Sequence, residues 1–105
     1  MSEEIVVADN PEASRYEITV DGKPAGFAAY RLRPGKIIFT HTEIDSSFEG
    51  RGLGGRLASG ALDGARAAGL AVGPICPFFV RYIQRHPEYQ DLVAEDYREA
   101  VEKTG

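Results

Sequence analysis

A single cysteine, Cys76, stands in this chain of 105 residues. An internal disulfide is therefore excluded, as is a cysteine-rich metal site, and no metal is expected. Long apolar runs are missing too. None approaches the roughly 20 residues a membrane span needs, so no membrane partner is expected. Positive charge is in short supply: 12 lysines and arginines stand against 16 aspartates and glutamates, a net charge of −4. That balance argues against nucleic acid as a partner. The opening Met1-Ser2-Glu3-Glu4 lacks the basic and apolar stretches of a signal peptide, and a cytoplasmic location is expected. Repeats, long linkers and low-complexity segments are absent. At this length one domain with a single modest core is expected.

The charge that is present is unevenly placed. Residues 88–105 hold six acids and two bases, which accounts for the whole −4. Between Arg51 and His86, five arginines stand with one acid, Asp63. Such a local positive field suits an anionic ligand, and it surrounds the most informative stretch, Ile44 to Leu57. Residues 36–44 are rich in β-branched and aromatic types, as a strand requires. Residues 53–68 place Leu53, Leu57, Leu62 and Ala65 at helical spacing, and Gly69 supplies a stop. Between the two lie Gly50, Gly52, Gly54 and Gly55. Glycines leave backbone N–H groups uncovered. A turn of this kind opening a helix makes a concave set of donors, with the positive end of the helix dipole behind it. The ligand this predicts is a phosphate or pyrophosphate, with Arg51 and Arg56 adding charge-assisted bonds.

Two phosphate loops fail to fit. A P-loop ends in Gly-Lys-Ser/Thr, whereas this turn ends Gly54-Gly55-Arg56-Leu57. A dinucleotide fingerprint is spelled by Gly50, Gly52 and Gly55. However, the next strand, Leu70-Ala71-Val72, brings no acid for a ribose, and the chain is too short for the full dinucleotide sheet.

The remaining residues read as an antiparallel meander followed by helix, strand and helix. Ile5-Val6-Val7 is a short first strand, and a turn follows at Asp9–Glu12. Strands are predicted over 15–20, 25–32 and 36–44, joined by Asp21-Gly22 and Pro34-Gly35. A fifth strand, 70–75, is expected to run parallel to the fourth through a right-handed crossover. Pro77 opens a second helix over 78–85, which His86-Pro87 ends. A final amphipathic segment, 91–103, is either a helix on the edge or a frayed tail. The class is α+β. Tyr16, Phe27, Tyr30, Phe39, Phe79 and Tyr82 read as core.

A third glycine pattern does fit. The pyrophosphate loop of acyl-CoA transferases, Gln/Arg-x-x-Gly-x-Gly/Ala, falls on Glu49-Gly50-Arg51-Gly52-Leu53-Gly54. With its strand–turn–helix setting, the run Ile44–Leu57 resembles the central motif of the GNAT superfamily of N-acetyltransferases, and residues 70–86 resemble its second half. His41-Thr42-Glu43, Pro74-Ile75-Cys76-Pro77-Phe78 and His86-Pro87-Glu88-Tyr89 are similar to the small YjdJ-like branch. The likeness covers roughly residues 15–93. It implies a GNAT-like mixed sheet without the helices usually found between the first strands. Residues 1–93 would form an acetyl-CoA-binding domain, and 94–105 an acidic helix or tail. It also implies that strands four and five splay apart to admit the pantetheine arm of acetyl-CoA, the co-substrate. Ile44, Asp45, Glu49, Gly50, Arg51, Gly52, Leu53, Gly54, Gly55 and Arg56 are then the cofactor-binding residues. Cys76 and Phe79 would lie along the pantetheine, and main-chain amides near Ile44 and Asp45 would orient the thioester. Glu49 departs from the pattern. A carboxylate repels phosphate unless it points outward or pairs with Arg51 or Arg56.

Acetyl transfer to an amine needs a held thioester, a polarised carbonyl and a deprotonated nucleophile. For a base, the fourth strand offers His41 and Glu43. Their spacing of two puts them on one face, with Phe39 and Asp45, and an imidazole beside a carboxylate suits proton transfer near neutral pH. The superfamily's strand-four glutamate falls on Ile38, and its helical tyrosine acid falls on Ile83. Cys76 closes the fifth strand just before a helix N-terminus, which favours thiolate. It is a candidate to take the acetyl group, to protonate the leaving thiolate, or only to line the tunnel as a small hydrophobe. The function expected from these residues is an acetyl-CoA-dependent N-acetyltransferase with an unidentified amine acceptor; the alternatives are an acyl-CoA-binding module with little turnover and an interaction domain using an exposed sheet edge and the acidic tail.

Overall fold

The computed structural model describes residues 3–102. Met1, Ser2 and the end of the expected last segment, from Lys103 on, lie outside them. Four strands run antiparallel: β1 (Ile5–Asn10), β2 (Arg15–Val20), β3 (Lys23–Arg33) and β4 (Lys36–Ile44). Their junctions are short because a few residues accept left-handed backbone angles. Asp21 (φ 51°) and Gly22 (φ 80°) close the β2–β3 hairpin, the two positive angles that match strand twist. β1 and β2 are joined by a single 3-10 turn, Pro11–Ala13, with Ser14 at φ 53°. As expected from the sequence, no helix is inserted there.

Helix α1 (Leu53–Ala67) carries the chain to β5 (Ala71–Pro74), which pairs with β4 in parallel. The strand order is β1-β2-β3-β4-β5, the mixed sheet of an α+β protein. β5 is shorter than the predicted 70–75. Leu70 belongs to the helix stop, where Gly69 (φ 72°) lets the Gly69 and Leu70 amides reach the Arg66 and Ala65 carbonyls. Helix α2 (Pro77–Arg85) follows.

The core fills the space between the sheet and the two helices. Ile18, Val20, Ala28, Tyr30, Ile37 and Phe39 point from the strands against Leu57, Ala61, Leu62 and Ala65 of α1 and Phe79 and Ile83 of α2. Phe39 and Phe79 stack with ring centroids 4.3 Å apart. α1 lies very close to the sheet. A Cβ on Gly60 would come within 2.7 Å of Val7, and one on Gly64 within 2.2 Å of the Tyr16 hydroxyl. Glycine is required at both because these contacts leave no room for a methyl group.

One irregularity positions the site. Ala29 opposes His41 and Tyr30 opposes Phe39, so Thr40 has no residue opposite it on β3. This β-bulge resets the alternation of faces. Before it, Ile37 and Phe39 point to the helices; beyond it, Thr42 and Ile44 do. His41 instead lies beside Phe27 on the opposite face, with ring centroids 6.1 Å apart. The period-two reading is therefore corrected for Phe39, which does not share a face with His41 and Glu43.

The chain after α2 is not one amphipathic helix. It forms a 3-10 turn (Pro87–Leu92), a bridge of Val93 to Val72, a second 3-10 turn (Glu95–Tyr97) and helix α3 (Arg98–Glu102). The Ala94 amide bonds the Val72 carbonyl at 2.8 Å, Asp96 pairs with Lys36 at 2.9 Å, and Val101 is buried. Residues 94–102 thus pack against the β5 edge and α2. Among the described residues, no helix is long and apolar enough to cross a membrane.

Candidate active site

β4 and β5 part company after the Phe39–Pro74 pair. Pro74 has no N–H to extend the ladder. The Phe39 carbonyl accepts from both the Ile75 and Cys76 amides, each at 3.0 Å, and Pro77 then starts α2. Among the described residues, β4 therefore has no strand on that side from Thr40 to Ile44. The result is a gap with its apex at Phe39–Pro74 and its wide end at Ile44 and the glycine turn.

The turn is built from Asp45 onward. The Asp45 carboxylate accepts from the Ser47 amide (2.9 Å) and hydroxyl, fixing a 3-10 turn at Ser46–Phe48. Those bonds hold its pKa below the usual carboxylate value. Gly50 (φ 80°) and Gly52 (φ 75°) then bring the chain into α1, and at neither would a Cβ meet anything within 4 Å. Gly52 is the N-cap, and among the described residues no side chain caps the helix. The amides of Leu53, Gly54 and Gly55 lack intrahelical partners by helix geometry, so they are available to an anion. A cavity of about 360 Å³ lies against them, walled by Ile44, Glu49, Gly50, Gly52, Leu53 and Gly54, and also by Thr42, Phe48 and Phe78.

Of the expected ligand residues, Asp45, Phe79 and Arg51 are engaged away from the cavity. The Asp45 amide is spent on the Ala25 carbonyl at 2.8 Å and is not free to orient a thioester. Phe79 is wholly buried on Phe39; its neighbour Phe78 faces the turn, 2.9 Å from where a Gly54 Cβ would be. Arg51 pairs with Glu3, not Glu49, and lies over the Phe48 ring at 5.5 Å. Glu49 is exposed at the cavity, Arg56 is exposed in the first turn of α1, and Gly55 faces Tyr82. Sequence reasoning missed Thr42, Phe48 and Phe78. Phe78 and Tyr82, four apart on α2, are the signal that would have found that face of the helix; Thr42 needed the bulge.

The three candidate catalytic side chains do not come together. Cys76 is buried at the N-cap of α2, on the helix side of the sheet, with Sγ 3.3 Å from Thr42 Oγ1. His41 and Glu43 bond each other at 2.7 Å on the opposite face, both largely exposed. Ile83 is core. Tyr82 stacks on His86 at 3.9 Å, and burial raises its pKa; it does not take up the position of Ile83.

A gap between two parallel strands, with uncovered helix amides at its wide end, is an arrangement that can hold an elongated ligand with an anionic group. The chain belongs to the GCN5-related N-acetyltransferase family, whose sequence model matches residues 15–92. No curated protein matches the chain. Acetyl transfer from acetyl-CoA is the general activity of that family.

Proposed function

We propose that this protein moves the acetyl group of acetyl-CoA to the nitrogen of an amine. The observation that carries the reading is the uncapped start of α1, behind Gly50 and Gly52, at the wide end of the β4–β5 gap. There the amides of Leu53, Gly54 and Gly55 would bind the diphosphate, with Arg51 released from Glu3 and Arg56 adding charge. Ile44, Leu53 and Phe78 would flank the pantetheine, whose thioester would reach the apex beside Thr42 and Cys76. The amine gives up a proton, to the His41–Glu43 pair or to water, and its lone pair attacks the carbonyl carbon. The C–N bond forms, the C–S bond breaks, and the CoA thiolate leaves and takes a proton. The Cys76 thiol, 3.3 Å from the Thr42 hydroxyl, is the group we assign to that last proton. Acetyl-CoA titration by calorimetry and an amine-dependent thiol-release assay test the reading together. Binding with amine-dependent release supports it, and absence of binding refutes it.

One observation favours a second reading, an acyl-CoA-binding module. Ile83, wholly buried, offers no proton where a helical tyrosine would. Tight binding without thiol release for any amine would select this reading.

A further inference from the structure

A second cavity, also about 360 Å³, lies on the face of the sheet away from α1 and α2, walled by Arg31, Arg33, Lys36, Thr40, Ile75 and Tyr97. The strand register explains its location. Phe39 and Pro74 are the last paired residues of β4 and β5, and Thr40 and Ile75 are the next residues on each chain. The cavity therefore opens at the apex of the gap, with Cys76 and Thr42 at the same apex on the other side. The two cavities meet β4 from opposite faces at Thr40 and Thr42.

Among the described residues, two of its three cations face no acid, although Arg33 donates to the Leu32 carbonyl at 3.0 Å. Arg31 and Arg33 stand two apart on β3 and share a face, opposite Ile38 and Lys36. Lys36 is answered by Asp96. Among the described residues, Arg31 and Arg33 form no ion pair, and both are exposed. Two like charges side by side repel each other, and here they do so in a chain of net charge −4. Another groove, lined by Arg15, Glu17, Phe27, Glu43 and Asp45, is acidic. Its Glu17 is held by Arg15 and Asn10, Glu43 by His41, and Asp45 by Ser47.

Resting on the acetyltransferase reading, we propose that the acceptor is a small primary amine that also carries an anionic group. Arg31 and Arg33 hold its carboxylate or phosphate while the nitrogen reaches through the apex to the thioester. Guanidinium forks suit both anions, and the volume suits a metabolite-sized molecule. The anion is unchanged by the reaction. The ammonium and the thioester become the amide, free CoA thiol and one released proton.

The test is an initial-rate comparison on the full chain with acetyl-CoA and four probes: an amino acid, its uncharged amide, phosphoethanolamine and spermidine. An anionic amine should exceed the uncharged one in kcat/KM by about tenfold or more, and the two anionic arms distinguish carboxylate from phosphate. The double variant Arg31→Gln, Arg33→Gln should raise the acceptor KM about tenfold, leave the KM for acetyl-CoA unchanged and not lower the melting temperature. A preference for spermidine or the amide, or an unchanged acceptor KM in the double variant, overturns the proposal and leaves the transferase reading standing. If acetyl-CoA binds and every amine is refused, the transferase reading fails and this proposal fails with it.

Discussion

Replacing Gly52 with alanine perturbs the turn with no steric conflict, because a Cβ there would meet nothing within 4 Å. The whole penalty is the left-handed backbone angle, φ 75°, worth about 1–2 kcal/mol for an L-residue. Gly22 provides the matched control, with φ 80° and the same open space, but in the β2–β3 hairpin. Gly22→Ala should lose about that much stability, roughly 4–8 °C of melting temperature per kcal/mol in a domain of this size, and leave the affinity for CoA unchanged. At Gly52 the chain has another route: the turn relaxes and the free amides swing away. Each amide bond to a charged phosphate is worth about 1.5–3 kcal/mol, so losing one weakens CoA binding about ten- to a hundredfold. Calorimetry with CoA and thermal melts on native, Gly22→Ala and Gly52→Ala proteins separate the two effects. Equal dissociation constants in all three would refute the assignment of the diphosphate to this turn.

Phe79→Ala removes a wholly buried ring stacked on Phe39 and should cost about 3–5 kcal/mol in urea denaturation; a loss below about 1 kcal/mol would contradict the packing described. Stability should fall as pH rises past about 10. Burial and the bond from its hydroxyl to Asp9 raise the Tyr30 pKa above the 10.0 of a free phenol, so above that pH the unfolded chain has lost a proton that the folded chain keeps. Tyr30→Phe should flatten this slope, and a slope identical to the native one would disprove the cause. Cys76, 5% exposed, should be alkylated slowly in the native protein and more slowly still with saturating CoA. Labelling indifferent to CoA would put the thiol off the ligand's path.

Signals that act locally are legible in the amino-acid sequence. Asp21-Gly22, the β-branched run to Ile44, the four clustered glycines and Gly69 each dictate a conformation to their own neighbours, so the meander, the turn and α1 can be read from them. What escapes depends on partners distant in sequence. Nothing between Lys36 and Ile44 marks Thr40 as the extra residue, since a bulge exists only relative to β3. That one residue decides that Phe39 and His41 lie on opposite faces. The Asp45 amide reads as free because Ala25, its acceptor, is 20 positions away. Phe78 and Phe79 are chemically identical neighbours, and only the stack on Phe39 says which is core. The amphipathic run after Asp91 reads as a helix until Val93 finds Val72 and the backbone is drawn into a bridge.

The intimate seating of Gly60 and Gly64 on Val7 and Tyr16 has a mechanical consequence. α1 is anchored away from the amides we assign to the diphosphate, about 10–16 Å along the axis at roughly 1.5 Å of rise per residue. A rigid rod seated that closely at one end acts as a lever. Any change that lifts that end tilts the rod and strains the contacts of Leu53 and Gly54 at the other, with no residue at the turn altered. On the proposed function, sequence drift beneath the far end of this helix would therefore detune cofactor affinity from a distance, which makes two glycines seated on Val7 and Tyr16 part of how the turn is held in place.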